Sequence, residues 1–240
     1  LALCQADLLE DAWNGTGQFQ GTEPIRGFGA VAGVYEEACQ IVVRADSEIS
    51  TVEELEGHRV SVGEEESGTK QNALQILAAY GLNEKLVEEV SLNYTEAAKE
   101  LENGSIDAFF CTAGAQTAAI ANLAQRTGIR FLNVDGAAAA RLKKSYPVYD
   151  SCIIAAGTYP GQEEDVSTVG VKAVLLASDS VSAEVVEELT ALLFEEQQEL
   201  DFALPVELIT EADAAADGLP VPFHKGAERY YESRGEKSEN

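Results

Sequence analysis

Arg59-Val60-Ser61-Val62-Gly63, then across the acidic turn Glu64-Glu65-Glu66 the run Ser67-Gly68-Thr69-Lys70-Gln71-Asn72-Ala73-Leu74-Gln75-Ile76-Leu77, is the stretch on which the fold turns. Its first five residues are β-branched at alternate positions and stop at glycine, the pattern of a short strand. In the second run Ala73, Ile76, Leu77 and Tyr80 recur at i, i+3, i+4 and i+7, the apolar stripe of a helix. Ser67 suits the N-cap and Gly81 the stop. Strand, tight turn and helix make one β-to-α unit.

The unit recurs on both sides. Upstream, Ile41-Val42-Val43-Arg44 reads as a strand, and Ser50-Thr51-Val52-Glu53-Glu54-Leu55 as a cap and short helix ending at Gly57. Downstream, a helix over about 95–102 stops at Asn103-Gly104 and a strand follows at 106–111. Thr112-Ala113-Gly114-Ala115-Gln116-Thr117 then opens another helix, ending near Gly128 before a strand at 129–134. Strands alternating with helices predict a parallel sheet with helices on both faces. Beyond Tyr146-Pro147 come a turn-rich zone, a strand over 169–177, an amphipathic helix over about 182–200, an extended Gly218-Leu219-Pro220-Val221-Pro222, a short helix around 227–233 and a polar tail at 235–240. The opening Leu1-Ala2-Leu3-Cys4 reads as the middle of a strand, so the chain is expected to be a fragment or a processed form.

Composition narrows the function. With 45% hydrophobic and 24% charged residues in 240, the chain can bury a large core. No run approaches the roughly 18 to 20 apolar residues of a membrane span. The 42 acidic against 16 basic residues give a net charge of -26, which excludes nucleic acid as a partner because phosphate binding needs lysine and arginine. Such an acidic coat either keeps the protein soluble or adapts it to concentrated salt. Cys4, Cys39, Cys111 and Cys152 contain no CxxC pair, so neither a metal nor a cofactor is expected, and both buried thiols and disulfides stay open. The two histidines, His58 and His224, have no nucleophile motif beside them, and no GxSxG, HExxH or P-loop occurs. Catalysis is therefore not expected.

Two turns carry a positive signal. Ser67-Gly68-Thr69 and Thr112 to Thr117 both place small and hydroxyl residues where a strand gives way to a helix, the position at which open α/β sheets hold ligands. The first helical N–H groups lack internal acceptors and carry about half a positive charge. Such a turn can hold a carboxylate without a basic side chain.

Several segments in order resemble the TAXI-type solute receptors of TRAP (tripartite ATP-independent periplasmic) transporters. They are Gln5-Ala6-Asp7 with Trp13-Asn14-Gly15-Thr16-Gly17, Leu55 to Gly63, Ser67-Gly68-Thr69 with Asn72-Ala73, Thr112-Ala113-Gly114, Gly157-Thr158-Tyr159-Pro160-Gly161-Gln162, Asp217 to Pro222, and Gly226-Ala227-Glu228-Arg229-Tyr230-Tyr231. The resemblance implies a type II periplasmic-binding-protein fold of two α/β lobes around a ligand cleft, with lobe I at 1–44 and 151–240, lobe II at 45–150, and crossings near Arg44 and Ser151. It also implies a monomer outside the cytoplasm that delivers a small anionic or zwitterionic solute, glutamate, glutamine or a related dicarboxylate, to a membrane permease. Ser67, Gly68, Thr69, Asn72, Thr112, Ala113, Gly114, Gln116 and Thr117 would line the site, with Tyr35, Tyr149 and Gln5 covering the ligand.

Two departures stand out. The first strand and helix that precede the Gln5 segment in the family are missing, so lobe I is expected to be incomplete. Glu64-Glu65-Glu66 stands where the family has small residues. Carboxylates there oppose an anion, each by only about 1 kcal/mol at about 4 Å in bulk-like solvent. Alternative readings are an effector-sensing domain of a regulator on the same fold, and an enzyme using the cleft.

Overall fold

The computed structural model describes residues 1–195 and 206–238. In chain order its elements are β1 (Ala2–Gln5), α1 (Ala6–Asn14), β2 (Phe28–Arg44), β3 (Arg59–Ser61), α2 (Gly68–Ala79), β4 (Glu88–Val90), α3 (Tyr94–Asn103), β5 (Ala108–Ala113), α4 (Ala118–Arg126), β6 (Ile129–Phe131), α5 (Gly136–Ser145), β7 (Asp150–Ile154), β8 (Val166–Ser178), α6 (Ala183–Glu195), α7 (Ala212–Ala216) and α8 (Lys225–Ser238). They form two compact units, Leu1–Glu36 with Val171–Asn240, and Glu37–Gly170. The sequence reading put the crossings near Arg44 and Ser151, farther along β2 and earlier than β8. Both long strands contribute residues to both units.

In the first unit, β1 runs antiparallel to β8, with Ala2 opposite Leu176 and Gln5 opposite Ala173. The next residue starts α1, which ends at Gly15 in the left-handed region, φ 68. Ala6, Leu9, Ala30, Val174 and Val221 form a buried cluster flanked by Trp13 and Phe28. The Arg26 guanidinium lies 4.0 Å from the Trp13 ring centre. A second cluster of Val31, Ala177, Val186 and Ala227 joins α6 and α8. Their close approach needs Gly226, where a Cβ would fall 2.3 Å from the Ala183 carbonyl oxygen. The helix expected around 227–233 runs on to Ser238, through most of the predicted polar tail. The far end of the helix expected over 182–200 lies outside the described residues.

The second unit carries the β-to-α units. β3 pairs in parallel with both β4 and β5, Val60 lying opposite Glu89 and Ala108. β2 runs antiparallel to β5 from Ala38 opposite Ala113 to Val43 opposite Ala108, and antiparallel to β6 at Val42 to Arg44. β7 is antiparallel to the start of β8. The sheet is therefore mixed and not wholly parallel. A strand such as β2, which arrives already extended without a crossover helix before it, is free to run against its neighbour.

Helices α3 and α4 pack on one face, where Ala97, Leu101, Phe109, Cys111, Ile120, Leu123 and Val42 belong to one buried core. By strand alternation Phe110 and Thr112 point to the opposite face, on which α2 packs against β5 and α5. Thr112 and Ala113, expected to begin a helix, instead complete β5 opposite Cys39 and Ala38, and α4 begins at Ala118. Pairing with β2 holds these residues extended. The helix expected after Ser50 is one 3-10 turn, Glu53–Leu55. Cys39 faces Thr112 and Cys111 faces Gln40 across the ladder, so those two thiols lie on opposite sides of the sheet. No disulfide joins the four cysteines among the described residues.

Candidate functional site

The start of α2 is shaped by its approach from β3. Gly63 has φ 100, and a Cβ there would sit 2.9 Å from Thr69 Cγ2 and 3.1 Å from Lys70 N. Glycine thus lets the chain pass directly against the first helical turn. Glu66 follows in the left-handed region, φ 61. Ser67 Oγ donates to the Glu64 carbonyl at 2.7 Å and accepts from Lys70 N at 3.1 Å, and Gln71 N bonds the Ser67 carbonyl. Gly68 and Thr69 therefore hold the two leading N–H groups to which a helix offers no internal acceptor.

The acidic turn is partly neutralised. Glu65 receives Lys70 Nζ at 2.6 and 2.7 Å and Ser91 Oγ at 2.7 Å. The Lys70 bond first, then that of Ser91, holds its carboxyl below the usual glutamate range. Glu64 and Glu66 are exposed.

The hydroxyls expected to touch ligand are engaged inside the protein. Thr69 and Thr112 are only 4% and 5% exposed. Thr112 N donates to Thr69 Oγ1 at 3.3 Å, Thr69 Oγ1 lies 2.6 Å from Tyr94 Oη, and Tyr94 Oη donates to the Thr112 carbonyl at 2.9 Å. Since each hydroxyl has one proton, Thr69 must donate to Tyr94, which closes a ring of three directed bonds. Burial, with the Cys111 thiol and Glu37 nearby, pushes the Tyr94 phenol up. Asn72, fully buried, donates Nδ2 to Tyr149 Oη at 2.6 Å, and Tyr149 donates to Gln75 Oε1 at 2.6 Å.

The turn over 112–117 has its own brace. Tyr159 Oη donates to Gln40 Oε1 at 2.6 Å and accepts Thr117 N at 3.0 Å. Gln40 Nε2 reaches Thr117 Oγ1 at 3.3 Å, and Thr117 Oγ1 donates to the Gly114 carbonyl at 3.0 Å. Gln116 stands exposed at φ 65. Cys111, beneath this turn, has its thiol pushed up to about 12 by burial.

Ser67, Gly68, Thr69, Asn72, Thr112, Ala113, Gly114, Gln116, Thr117 and Tyr149 all belong to the second unit, where Thr69 is bonded to Thr112 and Asn72 to Tyr149. Tyr35 and Gln5 belong to the first unit, Tyr35 bridging Leu208 and Gln5 preceding α1. Tyr94, Tyr159, Gln40 and Gln75 were missed as site builders. Tyr159 sits inside the Gly157 to Gln162 block, so a signal existed. Gln40 lies in a part of β2 with no strand signature, and Tyr94 falls just outside the helix expected over about 95–102, whereas it is the first residue of α3. Among the described residues no cluster of histidine, cysteine or carboxylate suits a metal ion, and no helix is long and apolar enough to cross a membrane.

This mixed α/β architecture is the fold of the periplasmic solute-binding proteins. Residues 1–235 match the NMT1-like family, and the chain belongs to it. A solved structure described as a periplasmic transporter is 13% identical, with a TM-score of 0.51, over 99% of this chain and 76% of that one. The periplasmic aliphatic sulphonate binding protein SsuA from Escherichia coli is 17% identical over 97% of this chain and 70% of its own, with a TM-score of 0.48. A TctC solute binding protein from Polaromonas is 17% identical over 98% and 77%, with a TM-score of 0.46.

Proposed function

We propose that this protein is a non-catalytic extracytoplasmic receptor of the TAXI type, which captures a small carboxylate-bearing solute, glutamate, glutamine or a related dicarboxylate, and delivers it to a TRAP-type membrane permease. The observation that carries the reading is the start of α2. There Ser67 satisfies the N–H of Lys70, and the leading N–H groups of Gly68 and Thr69 are left to an outside acceptor. The helix dipole favours a negative group at this point. The Lys70 ammonium offsets one of the three carboxylates of the preceding turn. The loop at 114–116, rigidly braced by Gln40 and Tyr159, offers backbone groups to another polar part of the solute.

The test removes one N–H without disturbing the helix. Proline is accommodated at the first helical position, and Ser67 already has the extended conformation, φ -84 and ψ 153, that proline requires of its predecessor. A hydrogen bond to a charged group is worth about 1.5–3 kcal/mol. Gly68→Pro should therefore bind glutamate about ten- to a hundredfold more weakly in calorimetric titration, with a melting point close to the parent's. Equal affinity in Gly68→Pro would remove α2 as the carboxylate's seat. Titration with succinate, methanesulfonate and arginine sorts the solute classes.

A further inference from the structure

We infer that Tyr94 is the positioning residue of the carboxylate seat, holding the first turn of α2 in register with the end of β5 through the closed ring Thr112 N–H to Thr69 Oγ1, Thr69 Oγ1–H to Tyr94 Oη, and Tyr94 Oη–H to the Thr112 carbonyl. The inference rests on the carboxylate reading of α2 and adds the group that makes the seat rigid. Tyr94 belongs to neither of the turns it joins. It is the first residue of α3, and that helix start is itself pinned by a capping box in which Asn93 accepts the N–H of Glu96 while Glu96 reaches back to the N–H of Asn93. A phenol fixed in this way bridges a helix and a strand that have no sequence connection near the site.

With all three bonds made, the ring has one consistent set of proton directions, in which the Thr69 hydroxyl points to Tyr94 and not outward to a ligand. Thr69 thus presents its backbone N–H and not its side chain. Its χ1 is held by two bonds on one oxygen, and Thr69 Cγ2 is held against Gly63. Removing the phenol oxygen leaves the Thr112 carbonyl and the Thr69 hydroxyl without these partners. The first turn of α2 can then rock, and the two leading N–H groups lose their fixed orientation. Tyr80, at the other end of α2, supplies the control. Its hydroxyl makes a comparable pair of bonds, donating to the Asp135 carbonyl and accepting Asp135 N, but remote from the helix start.

The experiment compares the parent, Tyr94→Phe, Tyr80→Phe, Thr69→Ser and Thr69→Val, with glutamate as the probe and the amide resonances of Gly68 and Thr69 as the local readout. In solute-free protein Tyr94→Phe should lower the 15N relaxation order parameters of these two amides, whereas Tyr80→Phe should leave them as in the parent. Glutamate affinity should fall about tenfold in Tyr94→Phe and Thr69→Val and persist in Tyr80→Phe. Thr69→Ser, which keeps the ring oxygen, should restore it. Unchanged order parameters at Gly68 and Thr69 in Tyr94→Phe would overturn the inference whatever binds. Equal loss of affinity in both phenylalanine variants would overturn it too, by showing that helix stability alone governs binding. If no carboxylate moves the parent's Gly68 and Thr69 amides, the carboxylate reading itself fails and takes the inference with it.

Discussion

Replacing Gly63 by alanine probes the construction of the α2 start from its other side. Gly63 stands at φ 100, where an L-residue is strained by about 1–2 kcal/mol. The added Cβ would lie 2.9 Å from Thr69 Cγ2, 3.0 Å from Thr69 Cβ and 3.1 Å from Lys70 N. Thr69 cannot swing aside, because its hydroxyl is held by Tyr94 and by Thr112 N. Overpacking of this kind adds about 1–3 kcal/mol, for a total of about 2–5 kcal/mol. Gly57 is the matched reference, with φ 79 and nothing within 4 Å of its Cβ position, so alanine there costs only the backbone strain. At this chain length about 1 kcal/mol shifts the melting point by roughly 2–4 °C. Gly63→Ala should therefore melt about 4–20 °C below the parent, clearly below Gly57→Ala, and bind glutamate more weakly. Differential scanning calorimetry of the two variants in one buffer measures this. Coincident melting points would refute the claim that close packing at the α2 start demands glycine.

Three further outcomes are expected. Glu66→Gly relieves a left-handed glutamate at φ 61 and removes one carboxylate from the turn, so stability should rise by up to about 1 kcal/mol and affinity for an anion should hold or improve; loss of affinity would point to a cation-assisted site. With a net charge of -26, the melting point should climb from low salt into molar KCl as the screening length shrinks to about 3 Å; a flat or falling midpoint would count against salt adaptation. Glu65 should titrate below ordinary glutamates by NMR, because Lys70 and Ser91 favour its charged form. The sign follows from a lowered folded-state value: its contribution to stability is present above the ordinary glutamate range and is lost as pH falls through the lowered value. Lys70→Met should raise the titration toward the ordinary range, with the Ser91 bond keeping part of the lowering.

The local units of this protein are written in its sequence because each rests on short-range rules. Alternating β-branched residues at 59–63, the stripe of Ala73, Ile76 and Leu77, the cap at Ser67 and the stop at Asn103-Gly104 all act within a few residues, and β3, α2 and α3 stand close to where they were expected. The family pattern, carried by blocks spread along the chain, agrees with the fold. Tertiary pairing decided the rest. Thr112 and Ala113 look like a helix start and are extended only because β2 lies against them. The first half of β2, β4, β7 and α5 lack strong periodicity; β4 has the charged sequence of an edge, with Glu88 and Glu89. The site divides the same way. Small residues with hydroxyls at two turns suggest the proposed place, because an unsatisfied helix start is a local property. Which side chains stay available depends on what lies opposite in space: Tyr94, Tyr159 and Tyr149, distant in sequence, hold the threonine and asparagine side chains in internal hydrogen bonds, and only the backbone at the start of α2 remains for the proposed seat.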